Sequence, residues 1–185
     1  MSLQNLAPIP ELYVSYDSAQ KLKAEAADLP SWDLTPRQTC DLELLMNGGF
    51  HPLKGFQTEA DYNGVVETMH TADGALWPIP VTLDVSQRFA DTVEPGQDIA
   101  LRDQEGVILA ILSVTDKWTP DKAREAEKVF GADDLAHPAV NYLHNVAGAG
   151  FLCGAGSGPP PPPPHRHRPP RPTPDELRAP FPQPG

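Results

Sequence analysis

The stretch from Gly48 to Phe56 is the feature that most limits how this chain folds. It reads Gly-Gly-Phe-His-Pro-Leu-Lys-Gly-Phe, and its glycines and proline break both the helical and the strand period. The apolar residues Phe50, Leu53 and Phe56 are spaced through it as anchors that hold a loop on a core. The sequence therefore predicts a helix end followed by a tightly specified, buried turn.

A ligand-binding loop is the alternative interpretation of this stretch, because glycines let the backbone approach a phosphate group. Lys54 is the only cation in it, and the phosphate-loop pattern G-x-x-x-x-G-K-[ST] occurs nowhere in the sequence. Packing is therefore the favoured interpretation of the loop.

Helix caps and apolar residues at helical spacing predict five helices. Each begins at a Ser, Thr, Asp or Pro signal, and most stop at a glycine or proline. They run from Asp17 or Ser18 to about Ala27, from Thr35 to Gly48, from Thr58 to His70, from Thr119 to Gly131, and over His137–His144.

The middle of the chain changes to the period of two that is typical of strands. Ile79–Val85 and Asp98–Arg102 alternate apolar and polar residues, and Val107–Val114 is a nearly continuous apolar run. Short turns join these segments, so they are predicted to pair antiparallel, the last two as a hairpin. A further short strand is predicted at Leu12–Val14.

Length and charge limit the function classes that remain open. A chain of 185 residues allows one domain with an appendage. The net charge is −11, and residues 149–185 hold four Arg against Asp175 and Glu176, so residues 1–148 carry −13. A segment with this negative charge repels the phosphate backbone of nucleic acids, so we expect no nucleic-acid partner.

Composition changes abruptly after Gly148. Residues 149–185 contain 13 of the 23 prolines, including six in a row at Pro159–Pro164. So few apolar residues cannot offset the ordering entropy of the segment, and disorder or polyproline II is expected. The predicted organisation is a folded domain over residues 1–148 and a disordered Pro/Gly/Arg-rich tail over residues 149–185.

The two cysteines are predicted to lie in different environments. Cys40 sits among the apolar positions of a predicted helix, with Leu44 nearby, and is expected to be buried. Cys153 falls in the predicted tail and is expected to be an exposed free thiol. The sequence has no basic leader and no apolar run long enough for a membrane span, so a cytoplasmic protein without a membrane partner is expected.

Four segments carry a family resemblance, in the same order along the chain. They are Leu34–Phe56, Ala72–Asp84, Pro95–Arg102 and His137–Tyr142. Together they closely resemble the N-terminal domain of ATP sulfurylases (sulfate adenylyltransferases), most of all the bacterial forms joined to an adenylylsulfate kinase. The resemblance implies an α+β fold: a PUA-like pseudo-barrel of mainly antiparallel strands with peripheral helices.

The resemblance also implies where the chemistry lies. ATP sulfurylases join sulfate to the α-phosphate of ATP, and that work belongs to a following domain with a Gln-x-Arg-Asn motif and a paired-histidine motif. This sequence has no Arg-Asn dipeptide and no His-x-x-His pair. We therefore predict a non-catalytic domain, truncated before the catalytic one, with no catalytic, cofactor-binding or metal-ligating residue.

Other interpretations stay open at this stage. One alternative is an enzyme, if membership of the family implies sulfate adenylyltransferase activity. Another is an RNA-binding or protein-interaction module, by analogy with other PUA-like folds. The expected partners are a sulfurylase catalytic domain or a second copy of the chain. The histidines His137 and His144 are predicted to have a structural or solvent-facing role rather than to bind a metal. The tryptophans Trp32, Trp77 and Trp118 are predicted to pack in the core.

Overall fold

A mixed five-stranded sheet organises the protein. The computed structural model describes residues 11–159 and Pro174. The strands are β1 (Ser31–Asp33), β2 (Leu83–Val85), β3 (Asp98–Arg102), β4 (Ile108–Trp118) and β5 (Gly150–Ser157). Their order across the sheet is β1-β3-β4-β5-β2. Only the β1–β3 pair is parallel among these neighbours, so the expected mainly antiparallel sheet is confirmed.

Helices surround the sheet, and the five predicted ones are all present near their expected positions. The helices are α1 (Tyr16–Glu25), α2 (Pro36–Met46), α3 (Glu59–Thr68), α4 (Gln87–Ala90), α5 (Lys122–Phe130) and α6 (Pro138–Asn145). Thr35 caps α2 in a full capping box with Gln38. The cap of α5 is Asp121 rather than the predicted Thr119, because the Asp121 side chain accepts the Arg124 N–H.

The main core lies between α2 and one face of the sheet. Leu42, Leu45 and Met46 of α2 are buried in one cluster with strand residues such as Leu112 and Leu152. The predicted antiparallel hairpin of β3 and β4 is present, and Asp98 lies opposite Ser113 in it. The other face of this hairpin packs on α1 through Ala26, Ala100 and Ile111.

The predicted boundary at Gly148 is wrong for the residues that follow it. Gly150–Ser157 forms β5, which pairs with β4 on one side and with β2 on the other. The sequence did not indicate this strand because glycine is a poor strand former. In the structure, the absence of a glycine side chain lets the neighbouring strand β4 approach closely. A Cβ at Gly154 would lie 2.1 Å from the Ser113 carbonyl oxygen. Most of the predicted tail, 160–173 and 175–185, lies outside the described residues.

Two strand predictions also need correction. Only Leu83–Val85 of the predicted segment Ile79–Val85 is a strand, and it pairs with β5 rather than with the next strand in sequence. Leu12–Val14 is not a strand but holds a single bridge from Tyr13 to Gly158. Sequence proximity indicated the wrong partner for Leu83–Val85, because β5 returns from the end of the domain and pairs with it.

The two cysteine predictions are the reverse of what the structure shows. Cys40 is exposed and Cys153 is buried, since Cys40 lies on the outer side of α2 and Cys153 lies in the centre of the sheet. Burial raises the pKa of the Cys153 thiol, which also lies 3.2 Å from the Thr115 hydroxyl. Within the described part of the chain, no helix is long and apolar enough to cross a bilayer.

Candidate functional site

Arg37 lies at the centre of the most connected polar cluster of the described residues. Thr35 and Pro36 start α2 immediately before it, so its side chain leaves from the first helical turn. One guanidinium nitrogen donates to Asp41 at 2.6 Å, another pairs with Asp84, and Nε donates to the Tyr142 hydroxyl at 3.1 Å. The guanidinium carbon also lies 5.4 Å from the centre of the Tyr142 ring.

Asp84 is the buried partner in this cluster. It lies on β2, is 4% exposed, and both of its carboxylate oxygens are used. Gln38 Nε2 donates to Oδ1 at 2.9 Å, and the Gly148 backbone N–H donates to Oδ2 at 2.7 Å. Arg37, Gln38, Asp41, Asp84 and Tyr142 are called the Arg37 cluster below.

Burial and charge act against each other in the Arg37 cluster. Burial alone would lower the pKa of Arg37, but the Tyr142 hydrogen bond and the charges of Asp84 and Asp41 outweigh it, so the pKa is raised. Burial raises the pKa of Asp41, and the charge of Arg37 offsets this only in part. The guanidinium is therefore held charged as a fixed counter-ion.

The Arg37 cluster acts as a structural connection rather than as a reactive site. It ties α2 to β2, to α6 through Tyr142, and to the segment that enters β5 through Gly148. The Asp84 carboxylate and the Arg37 guanidinium are already paired with each other and hydrogen-bonded to other groups of the domain. These contacts hold α2, β2, α6 and the start of β5 in place relative to one another. The buried Asp84 carboxylate has its partners within the domain.

A second buried pair joins α3 to α5. The Tyr62 hydroxyl donates to the Glu125 carboxylate at 2.8 Å, and Glu125 is 7% exposed. Burial raises the pKa of Glu125, and burial together with the Glu125 charge raises the pKa of Tyr62. Burial therefore favours the neutral form of both side chains in this pair.

The Gly48–Phe56 loop packs as predicted. Phe56 is 3% exposed, and Phe50 and Leu53 lie half-buried against the main core. Phe50 meets Trp77 edge to face, with 5.5 Å between ring centres. Lys54 is exposed and lines a cavity of about 330 Å³ together with Pro52, Thr71, Thr115 and others, so the anchors fix the loop and its one cation faces outwards.

The histidine pair forms no metal site. His144 Nε2 lies 2.5 Å from Asp133, and the His137 ring packs on Phe130 with 5.6 Å between ring centres. Among the residues that the structure describes, no group of three or more His, Cys, Asp or Glu side chains is placed to hold a metal ion.

The three tryptophans do not form one stacking surface. Trp32 packs on Phe89, Trp77 on Phe50, and Trp118 on Tyr62 and Phe151. They belong to three separate aromatic contacts, which agrees with the predicted structural role.

Sequence reasoning missed the Arg37 cluster entirely. One signal was available: Asp84 stands between Leu83 and Val85 in a predicted strand, and a carboxylate that such a strand buries is costly unless it is paired. A charged residue there implies a buried cation, and Arg37 follows a helix start in the same chain. The partner itself cannot be chosen from sequence, because 47 residues separate the two.

Comparison with known proteins places the chain in a family. The model of the PUA-like domain matches residues 5–155. The sequence is 52% identical over 131 residues to the sulfate adenylyltransferase of Schizosaccharomyces pombe, covering 70% of this chain and 27% of that protein. It is 50% identical over 133 residues to that of Saccharomyces cerevisiae, covering 72% and 26%.

A solved structure gives the same picture in three dimensions. The hexameric APS kinase from Thiobacillus denitrificans superposes with a TM-score of 0.66 at 34% identity, covering 92% of this chain and 29% of that one. The chain spans about a quarter of the length of the curated relatives that it matches. It belongs to the PUA-like domain family and is homologous to the N-terminal region of sulfate adenylyltransferases.

Proposed function

We propose that the chain is the non-catalytic N-terminal domain of a sulfate adenylyltransferase and that its role is to support a catalytic part which it does not itself contain. The observation that carries this proposal is the extent of the match, since half of the residues are identical over only a quarter of the relatives' length. A self-contained folding unit with a specific sequence relation to one segment of an enzyme serves that enzyme as a domain.

The polar side chains of the described residues favour a structural rather than a catalytic role. Catalysis between sulfate and ATP joins two anions and needs convergent cations aimed at developing negative charge. The half-buried cation Arg37 is instead paired with Asp41 and Asp84. The body as a whole is acidic, which opposes the approach of either anion.

We further propose that the parent protein is of the bacterial type in which the sulfurylase is joined to an adenylylsulfate kinase. The support is that the solved structure which superposes on this chain is named an APS kinase, and that this chain covers 29% of it. A kinase chain that contains such a domain matches the expectation from the sequence resemblance. That structure is named as a hexamer, and we therefore also propose that the parent protein is oligomeric.

The RNA-binding alternative is disfavoured by charge. Residues 1–148 carry a net charge of −13, and nucleic-acid binding draws on clustered Lys and Arg. Absence of nucleic-acid binding and a cytoplasmic location stay predictions, as does closure of the sheet into a pseudo-barrel.

An exchange experiment tests the proposed function. The chain by itself is assayed for pyrophosphate release from ATP and sulfate. In parallel, the 131 matched residues of the S. pombe enzyme are replaced by the corresponding residues of this chain, and the exchanged enzyme is assayed in the same way. We expect no turnover from the chain alone and clear turnover from the exchanged enzyme.

The controls separate a folding failure from a functional one. The unmodified S. pombe enzyme fixes the full rate, and circular dichroism confirms that the isolated chain is folded in the assay buffer. Turnover by the chain alone that survives repurification would overturn the non-catalytic assignment. An exchanged enzyme that folds but stays inactive would show that the domain is not a functional equivalent of its relatives.

A further inference from the structure

Exposed apolar side chains are concentrated on one side of the molecule. Among the described residues, seven large apolar side chains are exposed by more than a third. Four of these lie in or beside the segments that carry the Phe50–Trp77 ring pair, and the other three, Val107, Leu135 and Val146, lie in other segments. The apolar face, as it is called below, consists of Leu44, Phe50, Met69, Leu76, Trp77 and Ile79.

Ring and backbone contacts join the segments that carry these residues. Leu44 lies over the glycine turn, since a Cβ at Gly49 would be 2.8 Å from Leu44 Cδ2, and the next residue, Phe50, donates its N–H to the Leu44 carbonyl at 3.0 Å. Phe50 packs on Trp77, and the Trp77 N–H donates to the Met69 carbonyl at 2.7 Å. Leu76 and Ile79 flank Trp77 and are 68% and 54% exposed.

Met69 is an exposed apolar residue in a backbone conformation that favours glycine. It caps the C-terminus of α3 with φ at 57° and is the one residue other than glycine with positive φ in the described part of the chain. Glycine adopts this conformation without strain. A large side chain stands here instead, 55% exposed, so the fold itself gains little from its burial.

A concave pocket lies beside the apolar face. The cavity of about 330 Å³ is lined by Pro52, Leu53 and Phe56 from the glycine-rich loop, and by Thr71 and Asp73 from the turn that follows Met69. An apolar ridge next to a pocket that accepts a side chain is the usual form of a stable protein interface. Contiguous apolar surface of this kind marks an interaction site.

We propose that the apolar face is the surface on which the remaining part of a sulfate adenylyltransferase docks. This rests on the proposed function, because the relatives are nearly four times as long as the segment matched here. None of the six side chains is ionisable near neutral pH, so an apolar surface of the partner can cover them without burying a charge. A second copy of the chain fits less well, because two copies that each carry a net charge of −11 repel each other.

Cys40 provides a native probe of this docking. It is exposed and lies four residues before Leu44 on α2, so both side chains lie on one side of the helix. Its rate of maleimide labelling, read by mass spectrometry of its own peptide, is measured in the isolated chain and in the exchanged S. pombe enzyme. Labelling of a covered thiol follows the population of the open form, and we expect it to be about tenfold slower in the exchanged enzyme.

Matched variants then locate the docking surface. Leu76→Glu with Ile79→Glu alters the apolar face, and Val107→Glu with Leu135→Glu alters two single exposed residues of similar exposure. All four are surface positions, so both double variants of the isolated chain should unfold at the same temperature as the parent. In the exchanged enzyme the first pair should restore fast Cys40 labelling, and the second pair should leave it slow.

Each outcome bears on the proposal. Slow labelling in both double variants would overturn the assignment of the face while leaving the proposed function intact, as would unprotected Cys40 in an exchanged enzyme that is active. An exchanged enzyme that folds without activity would overturn the proposed function and this inference with it. Concentration-dependent dimerisation of the isolated chain that Leu76→Glu abolishes would assign the face to a second copy instead.

Discussion

At the scale of single residues, Arg37 does the most to hold separate elements together. Its loss would leave Asp84 buried with only the Gln38 amide and the Gly148 N–H as partners. We expect Arg37→Ala to cost about 2–4 kcal/mol of unfolding free energy, near the lower end for breaking a buried ion pair because the Arg37 side chain is 35% exposed. Urea unfolding measures this. Arg88→Ala, at an exposed arginine of α4, is the control and should change stability by less than about 0.5 kcal/mol.

Glu125 should make stability depend on pH. Burial raises its pKa above the ordinary value of 4.5, so between that value and the raised pKa the native state binds more protons than the unfolded state. Stability from this residue is therefore full below pH 4.5 and is lost as the pH rises through the folded-state pKa. Glu125→Gln should gain stability relative to the parent as the pH rises. Denaturant unfolding at a series of pH values tests this.

The control for Glu125 lies on the same helix. Glu127→Gln removes an exposed carboxylate from α5, and its unfolding over the same pH series separates the effect of burial at Glu125 from the loss of a carboxylate as such. A Glu125→Gln profile that runs parallel to the parent profile would mean that Glu125 titrates alike in both states.

At the scale of elements, β5 depends on where its glycines stand. A Cβ at Gly154 would lie 2.1 Å from the Ser113 carbonyl, whereas one at Gly156 would meet only side-chain atoms of Leu42 and Met46, at 3.8 Å. We expect Gly154→Ala to lower stability by about 1–3 kcal/mol through overpacking. Gly156→Ala is the matched control, with a change within about 0.5 kcal/mol. Equal effects of the two changes in urea unfolding would contradict the close approach of β4 and β5.

Truncation tests the corrected domain boundary. A chain that ends at Gly148 lacks β5 and leaves β2 and β4 without their shared partner, so we expect it not to fold. A chain that ends at Pro159 keeps every described strand and should show a cooperative thermal transition. Circular dichroism of the two truncated chains distinguishes these outcomes, and a native-like melt of the shorter chain would restore the boundary expected from composition.

The elements that were predicted correctly share a local cause. Thr35, Thr58 and Gly131 end or begin helices through hydrogen bonds or backbone angles within a few residues of themselves. The hairpin of β3 and β4 is likewise set by its own short turn. Two of the elements that were missed, β1 and β5, are strands whose pairing partners lie far away in sequence, so no local pattern identifies them. The third, α4, is a four-residue helix capped by Ser86, and it is too short to show apolar residues at helical spacing.

At the scale of the whole molecule, charge should govern the response to salt. The chain carries a net charge of −11, and self-repulsion of like charges destabilises the compact state. Raising the ionic strength to about 0.15 M shortens the screening length to about 8 Å. We expect the thermal midpoint to rise by about 2–4 °C for each kcal/mol of repulsion removed. A midpoint that falls on adding NaCl in calorimetry would show instead that attractive ion pairs dominate.

The sequence by itself determined the helices, the central hairpin, the packed glycine-rich loop and the family, because these depend on local caps, spacing and residue identity. Only the tertiary structure decided the place of β5, the burial of Cys153 and the pairing of Arg37 with Asp84. These features join residues that are far apart along the chain. Their energy comes from close approach and from burial of charge, and neither quantity exists until the elements have been brought together.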